Sequence, residues 1–169
     1  MRRVLTLFGC ALILWAIVSQ LNHVLTPWRV HLFMGGLFVT FAALMQPFAP
    51  GLAASCAVAL VLDANAPVAF GTHLILFGAA HAAVYRLRER IPRSDTVSRV
   101  TVAVLANLGI FLVFSFIQVL RTPGTTGIWP RALADLLFSQ VALALAAPWF
   151  FALQARALAL AGCERDNYA

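Results

Sequence analysis

The sequence predicts an all-α polytopic membrane protein with about six transmembrane helices. Hydrophobic residues fill 62% of the 169 positions and charged residues only 11%, whereas an ordinary soluble domain has about 25% charged residues. A soluble protein of this size needs more polar surface to cover its core. The apolar residues also form long runs separated by short polar breaks. We therefore expect a single transmembrane domain over residues 1–169 whose excess apolar surface faces lipid.

Six apolar runs are candidate spans, and a span needs about 20 residues. They cover residues 4–21, 30–48, 52–62, 70–85, 100–120 and 132–153. The first run follows a basic start, as in a signal peptide, but it is long and no small-x-small cleavage site follows it. We expect it to be retained as a span. The helix of the sixth run has room to continue beyond residue 153.

The third run is unusually short. Its eleven residues would cover only about 16 Å as a helix. Pro47, Pro50 and Gly51 predict a tight turn before it, and the stretch 63–67, with its Asp, Asn and Pro, has turn chemistry after it. The third helix is therefore expected either to extend through the turn or to sit buried among other helices.

The distribution of arginine predicts the orientation. The chain has twelve basic residues, all of them Arg, and the formal charge is +6. With six spans, nine lie on one side (Arg2, Arg3, Arg86, Arg88, Arg90, Arg93, Arg99, Arg156, Arg165) and three on the other (Arg29, Arg121, Arg131). Basic residues in short loops stay in the cytoplasm. Both termini and the loop 86–99 are therefore predicted to be cytoplasmic, where Arg86, Arg88, Arg90 and Arg93 also meet anionic lipid. This placement at span ends argues against nucleic-acid binding.

Several polar residues lie within the spans. Asn107 is near the centre of the fifth run, and we expect it to point inward, because a lipid-facing amide would stay unsatisfied. Asp135 follows Arg131 by four residues, which predicts a local ion pair. For Asn107, Ser139 and Gln140 interhelical hydrogen bonds are the favoured interpretation, and solute binding is the alternative. His81 is expected to be hydrogen-bonded in the fourth span.

The sequence shows no pattern of catalytic or cofactor chemistry. There is no nucleophile–base constellation, phosphate-binding loop or metal motif, so we expect a non-enzyme without a cofactor. Under the predicted topology, His23, His31, His73 and Asp63 share the outer side. A metal site there is conceivable, but the residues come from separate loops, and solvated or interfacial histidines are the preferred interpretation.

One stretch resembles the rod shape-determining protein MreD family. It comprises Ala59–Asp63, Pro67, Phe70–Leu74 and a span that ends at Tyr85–Arg88. Members show a Gly-Leu-Leu-x-Asp segment, a short turn, a Gly that opens the next helix and a basic end to that helix; here Ala59 stands in place of the first Gly. The match covers about residues 28–90, and elsewhere the likeness is compositional.

The resemblance implies a non-enzymatic scaffold of the bacterial inner membrane. Such proteins act with the bitopic protein MreC, the synthase RodA and its class B penicillin-binding partner, and indirectly the MreB filament, in cell elongation. The family fold is a compact bundle similar to the substrate-binding subunit of energy-coupling-factor transporters. The resemblance also places the family's most recognisable residues, Asp63, Asn65, Pro67 and Gly71, at one turn. We interpret this turn as a partner-docking motif, or alternatively as a self-contained fold element.

The main rival function is that of the transporter subunit itself. Those subunits resemble one another in an Ala-x-x-x-Ala coupling face on the first helix, but here Ala11 and Ala16 are five residues apart. The predicted outer loops also lack an obvious polar pocket. Neighbouring genes would discriminate between the two functions, because a bitopic coiled-coil gene favours the scaffold and ATPase genes favour the transporter.

Overall fold

The computed structural model describes residues 1–66, 68–91, 95–121 and 128–163. Within these ranges the regular structure is helical throughout. Six α-helices follow in order: α1 (Arg2–Leu25), α2 (Gly35–Met45), α3 (Phe48–Asn65), α4 (Thr72–Leu87), α5 (Thr96–Arg121) and α6 (Ile128–Leu160). Short 3₁₀ turns follow α1 at Thr26–Trp28 and α4 at Arg88–Arg90. The predicted all-helical class is confirmed.

Four stretches of the described chain are long and apolar enough to cross a membrane. They are Arg2–Trp28, Phe48–Asn65, Thr96–Leu120 and Trp129–Leu160. Their exposed side chains are largely apolar, for example Leu145, 73% exposed, and Trp149, 82% exposed. Such surfaces belong in lipid rather than in water. Helix α6 runs to Leu160, beyond the end of the sixth predicted span.

Of the two expectations for the third run, extension of its helix into the turn that follows is confirmed, whereas the tight turn predicted before it was wrong. Helix α3 has 18 residues and begins at Phe48, so Pro50 and Gly51 lie in its first turn and do not form a separate turn. Proline is tolerated in the first turn because the amide hydrogens there have no partner within the helix. At the other end α3 continues through Asp63 to Asn65. The apolar run 52–62 is thus shorter than helix α3 at both ends.

The second predicted span is the interrupted one. Residues 30–48 were expected to be one span, but α2 has only 11 residues, and Val30–Met34 form no helix. Ten consecutive residues of α2, from Gly35 to Leu44, are buried, and the helix contacts α3, α4, α5 and α6. A helix that is apolar on every side belongs inside a bundle. Helix α2 is therefore the core of the fold.

Glycines allow two neighbouring helices to approach α2 closely. A Cβ atom at Gly36 would overlap the carbonyl oxygen of Ala103 and lie 2.7 Å from the backbone nitrogen of Asn107, both in α5. A Cβ at Gly51, in α3, would lie 2.7 Å from the carbonyl oxygen of Ala42. Small residues at helix crossings allow this backbone proximity in membrane proteins. The crossings fix α2 between α5 and α3.

The bundle has two distinct ends. At one end Arg88 donates a hydrogen bond to the carbonyl oxygen of Gln46 (3.0 Å) and lies 3.7 Å from the ring centre of Tyr85. At the other end Asp63 of α3 binds His73 of α4. We call these the basic end and the clamp end. The contact at the basic end joins the turn between α2 and α3 to the C-terminus of α4.

Candidate functional site

The non-helical segment Val30–Met34 obtains its hydrogen bonds from side chains of three surrounding helices. In α1, Asn22 pairs with Leu32 in both directions: its Oδ1 accepts from the amide nitrogen at 2.7 Å, and its Nδ2 donates to the carbonyl oxygen at 3.0 Å. Backbone without helical bonds at membrane depth is tolerated only when it is buried in protein or faces water. Asn22 thus replaces two of the bonds that an uninterrupted helix would have made.

Asn107 of α5 makes the corresponding contacts one residue further along the segment. Its Oδ1 accepts from the Gly36 amide nitrogen at 3.0 Å, and its Nδ2 donates to the Phe33 carbonyl oxygen at 3.1 Å. The Nδ2 also lies 3.5 Å from the Gln140 Oε1 of α6. Asn107 is completely buried. The prediction that it points inward is confirmed, but its main partners are backbone groups rather than another helix's side chains.

Helix α6 supplies the remaining contacts. The Asp135 Oδ1 accepts a hydrogen bond from the His31 amide nitrogen, and the Ser139 Oγ accepts one from the Phe33 amide nitrogen, both at 2.9 Å. The predicted Arg131–Asp135 ion pair was wrong: the described part of the chain has no contact within 4 Å between them, because Asp135 turns to the segment. We call Asn22, Asn107, Asp135 and Ser139 the anchor network.

Asp63 forms a second buried centre, which we call the clamp. Its carboxylate accepts hydrogen bonds from three backbone amides at the start of α4, those of Gly71 (3.0 Å), His73 (2.9 Å) and Leu74 (3.2 Å). The His73 Nδ1 lies 2.8 Å from the Asp63 Oδ1. Both side chains are almost fully buried. A carboxylate suits a helix N-terminus because the first amides lack intrahelical partners and the helix dipole is positive there.

The other residues of the predicted turn motif have different roles. Gly71 has φ +95°, and a Cβ there would touch nothing within 4 Å. Glycine is therefore favoured here by the left-handed backbone and not by lack of space. Asn65 is exposed and donates back to the Val61 carbonyl oxygen at 2.8 Å. Pro67 lies outside the described residues.

A cavity of about 790 Å³ opens at the clamp end between the anchor network and the clamp. All six helices contribute to its lining, together with the non-helical segment. The polar residues that line it include Asn22, His31, Asn65, Gln118, Arg131 and Asp135. Its volume lies in the range of small-molecule sites. The expectation that this side lacks a polar pocket was wrong, because the lining residues come from positions far apart in the sequence.

Aromatic rings form one wall of this cavity. Phe33 stacks on Phe114 with ring centres 6.0 Å apart and meets Phe111 edge-on at 5.9 Å. The His73 ring lies 5.1 Å from that of Phe114, so the wall is continuous with the clamp. Trp15 of α1 also lines the cavity. The cavity therefore combines an aromatic interior with polar groups contributed by the helix ends.

The basic cluster that follows α4 and His81 lie apart from the cavity. Arg86 and Arg90 are exposed at the basic end beside Arg88, while Arg93 lies outside the described residues. His81 is hydrogen-bonded within the bundle, as predicted: it is buried, and its Nδ1 lies 3.3 Å from the Ser55 Oγ. Within the described ranges no group of three or more His, Cys, Asp or Glu side chains is placed to hold a metal ion.

Sequence reasoning missed Asn22, which it treated only as part of a polar break. The signal available was an Asn at the end of an apolar run, which also occurs in ordinary loops. Comparisons with known proteins add no identification: no family model, no curated protein and no solved structure matches this chain.

Proposed function

We propose that this chain is a non-enzymatic membrane scaffold of the bacterial cell-elongation machinery. In this role it binds an MreC-like bitopic protein and, with it, RodA and its class B penicillin-binding partner, with the MreB filament engaged indirectly. The observation that carries the proposal is the clamp. The residues on which the resemblance rests, Asp63, Gly71 and His73, meet at one buried carboxylate. Residues that lie on opposite sides of the turn in sequence are thus joined through the Asp63 carboxylate.

The proposal includes six membrane crossings with both termini in the cytoplasm. Four stretches of helix are long and apolar enough to cross a membrane. For the second crossing, the 11 residues of α2 supply about 16 Å as helix, and the five non-helical residues before it can add at most about 16 Å. The roughly 30 Å of the hydrocarbon core is therefore within reach of the two together, and the anchor network supplies hydrogen bonds that the non-helical part lacks. Helix α4, with 16 residues, covers about 24 Å.

The orientation is tested at the basic end. Cysteine-accessibility mapping should place the loop 86–99 in the cytoplasm. Neutralising Arg86, Arg88, Arg90 and Arg93 together should give mixed orientations or poor insertion, since each contributes about 1 kcal/mol of attraction to anionic lipid. Normal insertion with lost function would instead assign these residues to a cytoplasmic partner. An extracytoplasmic loop in the unmodified protein would refute the topology.

The partner surface is proposed at the turn beside the clamp. Asp63 is 4% exposed, so it positions the turn rather than touching a partner, whereas Phe70 is 71% exposed at the tip. Phe70→Ala should leave folding intact and reduce co-purification of the MreC-like protein encoded by the same genome. Phe116→Ala, at a residue 57% exposed on α5, is the matched control. Equal retention of the partner by both variants would exclude docking at the turn.

A second candidate is the solute-binding subunit of an energy-coupling-factor type transporter. The cavity favours it, because its volume and mixed lining suit a small molecule. The first helix weighs against it, since Ala11 is 2% exposed while Ala16 faces outward, so the two alanines do not share a coupling face. Co-purification with a membrane component and ATPases of such a transporter would support this candidate over the scaffold.

A further inference from the structure

The cavity presents charges of both signs on one face of one helix. Arg131 and Asp135 are four residues apart in α6, which places them on the same face with about 6 Å of rise between them. Both line the cavity, and the described residues include no ion pair between them. Asp135 uses its Oδ1 for the His31 amide, while Arg131 is exposed at the mouth. An exposed cation and a half-buried carboxylate are therefore held close together beside an empty volume.

Most of the aromatic lining lies deeper than these charges. On α1 the lining runs from Trp15 to Asn22, and on α5 from Phe111 through Gln118 to Val119. The seven residues from the aromatic residue to the amide correspond in each helix to about 10 Å of depth. Trp129, at the start of α6, is the aromatic lining residue that lies near the opening. The charges and amides therefore lie toward the opening, and the other aromatic rings lie inside.

We propose that the cavity binds a small amphipathic molecule with a flat apolar ring body and a zwitterionic head. The ring body packs against the wall formed by Phe33 and Phe114, where offset and edge contacts between rings are favourable. The head places its anionic group on Arg131 and its cationic group on Asp135. A ligand with a single charge would lie near one opposite charge and one like charge, because Arg131 and Asp135 are one helical turn apart. A zwitterion avoids the repulsion from the like charge.

This inference goes beyond the proposed scaffold function and depends neither on it nor on the transporter assignment. The test uses Nε-dansyl-lysine, whose naphthalene ring carries a distant zwitterionic head, added to the purified protein in lipid nanodiscs. Binding is measured as energy transfer from the protein's tryptophans to the dansyl group, with empty nanodiscs as background. We expect saturable transfer. Dansylamide, which has the ring without the zwitterion, should bind at least about tenfold more weakly, as expected on losing charge-assisted hydrogen bonds.

Two pairs of variants connect the signal to the cavity. Ala132→Phe fills a lining position, whereas Ala144→Phe adds the same ring outside the lining on the same helix. Arg131→Gln and Asp135→Asn each remove one charge, and Asn retains an oxygen for the His31 amide. Ala132→Phe should abolish binding, Ala144→Phe should preserve it, and each charge variant should weaken Nε-dansyl-lysine about tenfold without affecting dansylamide.

Several outcomes would overturn the inference. Energy transfer that does not exceed that of empty nanodiscs, or that is equal in the two Phe variants, would exclude the cavity as the binding site. Equal affinity for the two dansyl probes, or binding that is insensitive to both charge variants, would refute the zwitterionic head. Saturable binding without co-purifying transporter components would leave the ligand class standing while refuting the transporter assignment.

Discussion

Replacing Asn107 with Leu would test the anchor network directly. Leu has the same number and branching of side-chain heavy atoms as Asn, so the substitution removes the hydrogen bonds while keeping the shape of the side chain. The Gly36 amide nitrogen and the Phe33 carbonyl oxygen would each lose the Asn107 partner that they contact at 3.0 and 3.1 Å. The Gly36 amide is buried together with Asn107, so water cannot replace the lost partner there, whereas Phe33 is half-buried and lines the cavity.

The expected cost exceeds that of an ordinary interhelical hydrogen bond. Such bonds average about 0.6 kcal/mol in membrane proteins, because the polar groups find other partners after mutation. A buried backbone group without a partner costs about 1–3 kcal/mol. The Gly36 amide is the fully buried one of the two groups, so we expect Asn107→Leu to lower the free energy of unfolding by about 1–3 kcal/mol.

The assay is reversible unfolding of the purified protein in mixed micelles by increasing SDS, followed by far-UV circular dichroism. Thr101→Val is the matched control on the same helix, because Thr101 is exposed and its Oγ1 donates to the carbonyl of Val97 within its own helix. The control should change stability by less than about 0.5 kcal/mol. If Asn107→Leu cost no more than the control, the non-helical segment would not depend on Asn107, and the anchor network would lose its proposed role.

Three further predictions concern the close crossing, the clamp and the start of α5. In the same SDS titration, Gly36→Ala should destabilise by about 1–3 kcal/mol through overlap with α5. Gly109→Ala, where a Cβ meets nothing within 4 Å, should be neutral or stabilising, and equal effects would contradict the crossing. Asp63→Ala should lower the thermal midpoint more than Asp63→Asn, which keeps one oxygen for the α4 amides; the reverse order would argue against the clamp. Hydrogen bonds from the Ser98 hydroxyl and from the amides of Ser98 and Val97 lower the pKa of Asp95. A depressed folded-state pKa gives stability above the unfolded pKa that is lost as pH falls through the folded pKa. Hydrogen-exchange protection of the first turn of α5 should therefore decrease below pH about 4 in the native protein, whereas Asp95→Asn should show no such pH dependence.

The sequence by itself determined the membrane class and the all-helical architecture. These follow from composition and from the length of apolar runs, because the cost of burying unbonded backbone in lipid leaves few structures available. The inward orientation of Asn107 followed from the same cost. Apolar run length did not locate the helix ends, since Pro50 and Gly51 are accepted in the first turn of α3, and Asp63 is accepted near its last turn.

Only the tertiary structure decided which predicted span is interrupted and where a ligand could enter. The non-helical segment Val30–Met34 belongs to the same apolar run as α2, so the run alone cannot distinguish them. The difference depends on Asn22, Asn107 and Asp135, which are separated by up to 113 positions in sequence yet bind neighbouring backbone groups. Contacts between residues that are far apart in the chain leave no periodic pattern in a single sequence. Asp135 shows this most clearly: its spacing favoured Arg131, but packing brought the His31 amide within 2.9 Å.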